Sequence, residues 1–134
     1  MKVVYSDPKT GLTAQKEVSD EILASLIGAK IGDVVDGSLF GLNGCKLKIT
    51  GGSDDSGFGM EKSVSGSMKV GVLRRIANAG KDKGQYERVT VAGNTINEKV
   101  VQLNTMIVDY GNANISEMFP KKEKAENEKE AEKK

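Results

Sequence analysis

The sequence predicts a mainly β fold, either a small barrel or a sandwich of short strands, with one short helix near residues 20–27 and a charged tail after residue 119. Three observations point there. β-Branched and alternating apolar runs recur along the chain, the longest over residues 100–110. Sixteen glycines, with turn dipeptides such as Asn43-Gly44, punctuate those runs. Aromatics are scarce, at three Tyr, three Phe and no Trp, so Val, Ile, Leu and Met must fill the core. At 134 residues the chain has room for one domain, taken as 1–119, and an appendage, 120–134.

Residues 2–5 open as a strand, and 7–11 form a turn in which Pro8 fixes φ and Gly11 supplies a positive one. Residues 12–18 return as the second strand of a hairpin. Ser19 is placed as a helix N-cap, with Asp20 and Glu21 in the first turn, where the helix dipole favours negative charge. Ile22, Leu23, Leu26 and Ile27 follow at helical spacing, and Gly28 is placed to end the helix. Residues 30–37 read as turn, short strand, turn. Residues 39–42 then continue as strand into the Asn43-Gly44 hairpin, and 45–49 return from it. On that returning strand Cys45, Leu47 and Ile49 share one face and Lys46 and Lys48 the other, which makes Cys45 a small core residue rather than a nucleophile.

Residues 64–76 are expected to be mostly strand with a basic end, 78–86 a polar loop, and 88–92 a returning strand. Residues 100–110 place Val101, Leu103, Thr105 and Ile107 on one side and Met106, Val108 and Tyr110 on the other. Apolar side chains on both faces predict a central place in a sheet. Residues 115–119 suit one terminal turn before Pro120. Beyond it, residues 121–134 hold six Lys and five Glu with nothing apolar larger than Ala, so a disordered, at most transiently helical, tail is expected.

The formal charge of +1 conceals an uneven distribution. Residues 1–42 carry four Lys against six acids, and residues 89–119 one Lys against three. Residues 69–88 instead hold Lys69, Arg74, Arg75, Lys81, Lys83 and Arg88 against Asp82 and Glu87. Such a local excess attracts a phosphate backbone, or is an ordinary solvated surface.

The absence of histidine removes the usual general base at neutral pH, the commonest zinc ligand and every Ser-His or Cys-His pair. Cys45 is the only cysteine, so no intramolecular disulfide forms and a reducing compartment is expected. Asp54 and Asp55 adjoin in a glycine-rich stretch without the spacing of a calcium loop. No enzyme activity, cofactor, metal or small-molecule substrate is expected. The first residues contain no apolar run long enough for a signal peptide or membrane span, which points to the cytoplasm.

The chain pivots on residues 49–60, Ile-Thr-Gly-Gly-Ser-Asp-Asp-Ser-Gly-Phe-Gly-Met, expected to be a glycine-rich hinge between two strands with Phe58 and Met60 folding back as anchors. Its backbone N–H groups would suit an anion, though plain strand connections share this composition. The motif residues Gly51, Gly52, Ser53, Asp54, Gly57, Phe58 and Met60 resemble the signature I-[ST]-G-G-[SN]-D-x-x-G-F-P-M of the archaeal and eukaryotic small-subunit ribosomal protein family S-six. Lys30-Ile31-Gly32-Asp33, Asp36-Gly37, Gly41-Leu42, Gly93-Asn94-Thr95-Ile96 and Val100-Val101-Gln102-Leu103-Asn104 agree in the same order, so the resemblance spans about residues 1–111.

The resemblance implies a small β-barrel of about six strands and a non-catalytic structural protein that binds small-subunit rRNA beside neighbouring ribosomal proteins. Two departures stand out. Gly59 occupies the usual Pro position, and residues 87–92 lack the heavy basic content the family tends to have there. The long eukaryotic extension with its phosphorylated serines is also missing, so the archaeal form is the closer match. The residues expected to meet rRNA phosphates are Lys62, Lys69, Arg74, Arg75, Lys81, Lys83 and Arg88, with Lys46 and Lys48 as a weaker group, and the glycine-rich hinge is expected to pack close to the RNA backbone. The alternative is a free β-barrel module that binds another protein and no RNA.

Overall fold

The computed structural model describes residues 1–112 and Phe119, so the expected terminal turn and charged tail lie outside the described residues. Among the described residues, seven strands and one α-helix follow in order: β1 Lys2–Ser6, β2 Thr13–Glu17, α1 Asp20–Leu26, β3 Val34–Asp36, β4 Lys46–Asp54, β5 Lys69–Arg75, β6 Tyr86–Ala92 and β7 Val100–Asp109. Five of the strands form one sheet in the order β2-β1-β7-β4-β3, and β5 and β6 form a separate two-stranded ribbon. β1 and β7 run parallel, while the other pairs are antiparallel.

The expected barrel does not close. Closure requires every strand to have two hydrogen-bonded neighbours, whereas β2 and β3 stand at opposite edges of the sheet and β5 and β6 pair with each other. The edge strand β3 is only three residues long, too short to carry a ladder onward.

β7 is central, flanked by β1 and β4, as expected, but it buries only the face of Leu103, Thr105 and Ile107, while Val101 and Val108 are about half exposed. Val3, Leu47, Ile49, Leu103 and Ile107 are almost wholly buried and join Leu23 and Leu26 of α1, Phe40, Leu42 and Ile96 in one apolar cluster. Cys45 is buried in the same cluster. The Phe119 ring packs on Tyr5 with centroids 5.4 Å apart. Ser19 sits at the N-cap of α1 with extended backbone but makes no side-chain cap bond, and the helix ends at Leu26 with Gly28 at φ 92° beyond it.

Two local expectations change. Residues 39–42 do not continue as strand: Asp36 accepts from the Ser38 backbone N–H and caps a 3-10 turn over Gly37–Phe40, which Gly41 closes at φ 74°. The backbone bonds of that turn are local, so the apolar pair Leu39-Phe40 was no guide to it. The glycine-rich stretch is also not a hinge from its start. Gly51 to Asp54 extend β4 along β7 through register shifts after Ile49 and Ser53, and the chain turns only at residues 55–57.

The hairpin turn before β2 is fixed by Asp7, which is only 1% exposed. Its carboxylate accepts from Lys9 N–H, the Thr10 hydroxyl and the Tyr110 hydroxyl, tying the end of β1 to the end of β7. The Thr10 bond, then the Tyr110 bond, hold the Asp7 carboxyl below its ordinary range.

Candidate nucleic-acid interface

Cross-strand partners in an antiparallel ribbon share a face, so the register of β5 and β6 sorts the expected basic residues. Lys69, Gly71, Leu73 and Arg75, with Arg88 and Tyr86 opposite, lie on one face; Val70, Val72 and Arg74, with Val91, Val89 and Glu87 opposite, lie on the other. Seven residues of strand carry the ribbon roughly 20 Å out from its root. The loop at its far end is shaped by Gly80 at φ 88° and Gly84 at φ 82°, and presents exposed Lys81 and Lys83.

The cations differ in what already holds them. The Arg74 guanidinium donates to Glu61 at 2.6 Å and faces Glu87 across the ribbon, so its charge is answered within the protein. Lys69 is likewise engaged: its ammonium lies 3.2 Å from Asp54 Oδ2, donates to the Ser56 hydroxyl at 2.8 Å and sits 5.0 Å from the Phe58 ring centroid. Among the described residues, no carboxylate lies within ion-pair reach of Lys62, Arg75, Lys81, Lys83 or Arg88. Arg88 lies along the ribbon over Gly71, where an added Cβ would meet its Cδ at 3.3 Å. The Arg75 guanidinium sits 6.0 Å from the Tyr86 ring centroid.

Asp54 organises the root. It is buried, and its Oδ1 accepts from Phe58 N–H at 2.8 Å and Ser56 N–H at 3.1 Å, which folds the 55–57 turn around it, with Gly57 at φ 84°. Burial pushes its carboxyl up, but the Phe58 bond and the Lys69 ammonium outweigh that and hold it below the ordinary range. Met60 folds back as expected, its N–H donating to Gly52 O and its side chain packing on the core; Phe58 stays half-buried beside Lys69. Gly52 is required by this packing, because a Cβ there would stand 2.5 Å from Gln102 O and 3.1 Å from Met60 Sδ. Gly51 and Gly59 have open space at the same point, and Ser53 bridges Gly59.

Lys46 and Lys48 are not brought to the ribbon. They project from the sheet on β4, roughly 20 Å or more along the strand from Asp54, and Lys46 stands between Asp36 and Asp109 in register. Tyr86 is the residue that sequence reasoning missed, having placed it in a loop. Its signal was an aromatic two positions from Arg88 in an otherwise polar run. Glu61 was missed as well, and no sequence pattern ties it to Arg74 thirteen residues away. Among the described residues there is no cluster of metal-ligating side chains, and no helix is long and apolar enough to cross a membrane.

Residues 1–120 match the sequence profile of ribosomal protein S6e. Small ribosomal subunit protein eS6 of Methanocaldococcus jannaschii is 45% identical over 120 residues, covering 88% of this chain and 89% of that protein. The eS6 of Nanoarchaeum equitans is 44% identical over 119 residues, with 89% of each chain covered. That of Methanothermobacter thermautotrophicus is 41% identical over 123 residues, covering 88% of this chain and 94% of its own.

Proposed function

This chain belongs to the ribosomal protein S6e family, and on that premise we infer that it is a structural constituent of the small ribosomal subunit, binding rRNA in support of translation and catalysing no reaction. The observation that carries the rRNA contact is the ribbon: one projecting face holds Arg75 and Arg88 without a carboxylate partner, and Lys81 and Lys83 stand at its tip. Folded RNA offers chiefly phosphates and 2′-hydroxyls, and cations without a carboxylate partner meet them without first breaking an ion pair. Lys62 adds to this group near the root. Lys69 and Arg74 contribute chiefly by holding the ribbon to the Asp54 turn and to Glu61.

Residues 1–119 act as the ribosomal domain, with 120–134 appended, in agreement with the span of the family match. The weak overall charge, 20 Lys and Arg against 19 Asp and Glu, leaves part of the interface to neighbouring ribosomal proteins in the cytoplasm. The test is occupancy of a tagged chain in purified small subunits. Reversing Arg75→Glu together with Arg88→Glu lowers occupancy; unchanged occupancy refutes the assignment. A wild-type chain that stays at the top of a sucrose gradient at moderate salt would be the free interaction module instead.

A further inference from the structure

The same ribbon face holds a feature that phosphate binding does not use. Tyr86 is 61% exposed and Leu73 is 70% exposed, and in register they alternate with the two guanidiniums that lack a carboxylate partner, Arg75 opposite Tyr86 and Leu73 opposite Arg88. Each strand therefore presents one cation and one apolar side chain, the two arginines standing at diagonal register positions with the Arg88 side chain running back over Gly71. A purely electrostatic surface has no reason to keep a phenol ring in water. The ring stands largely in solvent on a strand, and the Arg75 guanidinium lies 6.0 Å from its centroid, a planar group that itself stacks on π faces.

We propose that Tyr86, flanked by Arg75 and Arg88, is a stacking platform for an unpaired ribonucleotide, the base resting on the ring while the guanidiniums take the phosphates on either side. This rests on the rRNA-binding reading and deepens it from charge to base. Paired RNA cannot use the platform, because a duplex buries its base faces in the stack and its deep groove excludes side chains, whereas loops, bulges and ends can splay a base onto an aromatic ring. The opposite ribbon face does not compete for the RNA. It carries Val70, Val72 and Val89, and its one cation, Arg74, is bonded to Glu61.

The chain has no tryptophan, so Tyr86→Trp installs a single fluorescent reporter at the platform. The full chain bearing it is titrated with a single-stranded 12-nucleotide RNA and with a blunt 12-base-pair RNA duplex, following both anisotropy of labelled RNA and tryptophan emission. Stacking predicts that the single strand quenches the emission while the duplex, even where it binds, does not. Tyr86→Ala in the otherwise native chain then weakens single-strand binding at least about fivefold, the lower end of one base–aromatic stack, Tyr86→Phe restores it, and duplex affinity stays unchanged. Single-strand binding without quenching, or equal loss for strand and duplex, overturns the platform and leaves the phosphate reading standing. If neither RNA binds, the failure lies in the rRNA-binding reading itself.

Discussion

The five-stranded sheet and the β5–β6 ribbon are built from similar side chains and do opposite things with them. In the sheet, Val3, Leu47, Ile49 and Leu103 have no exposed surface and share one apolar cluster with residues of α1, the 3-10 turn and Phe119. In the ribbon, Val70 is 42% exposed and Leu73 and Tyr86 more so, and only Val91 and Ala92, at its root, are buried. A two-stranded ribbon is marginal by itself in water. Here it is tied down by Asp54–Lys69 at the root and by Arg74, one pair from the far end, reaching Glu61. The sheet holds the buried core; the ribbon is a surface displayed by the folded protein, its apolar and cationic side chains left largely in solvent.

This contrast can be broken by mutation. Leu103→Ala, at the centre of β7, is expected to cost about 2–5 kcal/mol in denaturant unfolding, while Leu73→Ala on the ribbon changes stability by no more than about 0.5 kcal/mol. Equal costs would mean that the ribbon belongs to the core. Gly52→Ala comes next, at about 1–3 kcal/mol, because its Cβ has to push back Gln102 O or displace Met60. A cost near zero would show that β4 and β7 are less closely apposed than described.

Acid acts on both regions. Asp7 in the sheet and Asp54 at the ribbon root have carboxyl groups held below their ordinary range. Each contributes stability that is complete above the unfolded carboxylate value, near 4, and is lost as pH falls through the lower folded value. Denaturation midpoints measured from pH 6 down to pH 2 should therefore fall below about pH 4, and Asp54→Asn should flatten part of that fall. Smallest is Gly59→Pro. Gly59 is not at positive φ, has open space at its Cβ position, and its N–H donates in none of the backbone bonds that close the turn. The substitution should add about 0.4–1 kcal/mol by restricting the unfolded chain; destabilisation would show that the turn needs glycine there.

Much of this was written in the sequence. Hairpin β1–β2, helix α1, the Cys45-Leu47-Ile49 core face and the central place of β7 all follow from periodicity, because each depends on which side of a single element is apolar. The basic segment 69–88 was equally visible as charge. Its division into engaged and free cations was not. That depends on the β5–β6 register, which puts Arg74 and Arg75 on opposite faces, and on Glu61 and Asp54, which reach Arg74 and Lys69 across turns.

The sequence alone therefore settled the family, the strand-rich class and the lack of histidine chemistry, since composition and a specific motif are local properties of the chain. Whether the strands closed into a barrel was decided only in three dimensions. The backbone hydrogen bonds that join strands are open to every residue type, so which distant strands meet is set by side-chain packing and turn geometry in the folded chain and not by the residues of any one strand. In this protein that choice left β5 and β6 outside the sheet, and so gave the cations and Tyr86 a surface of their own.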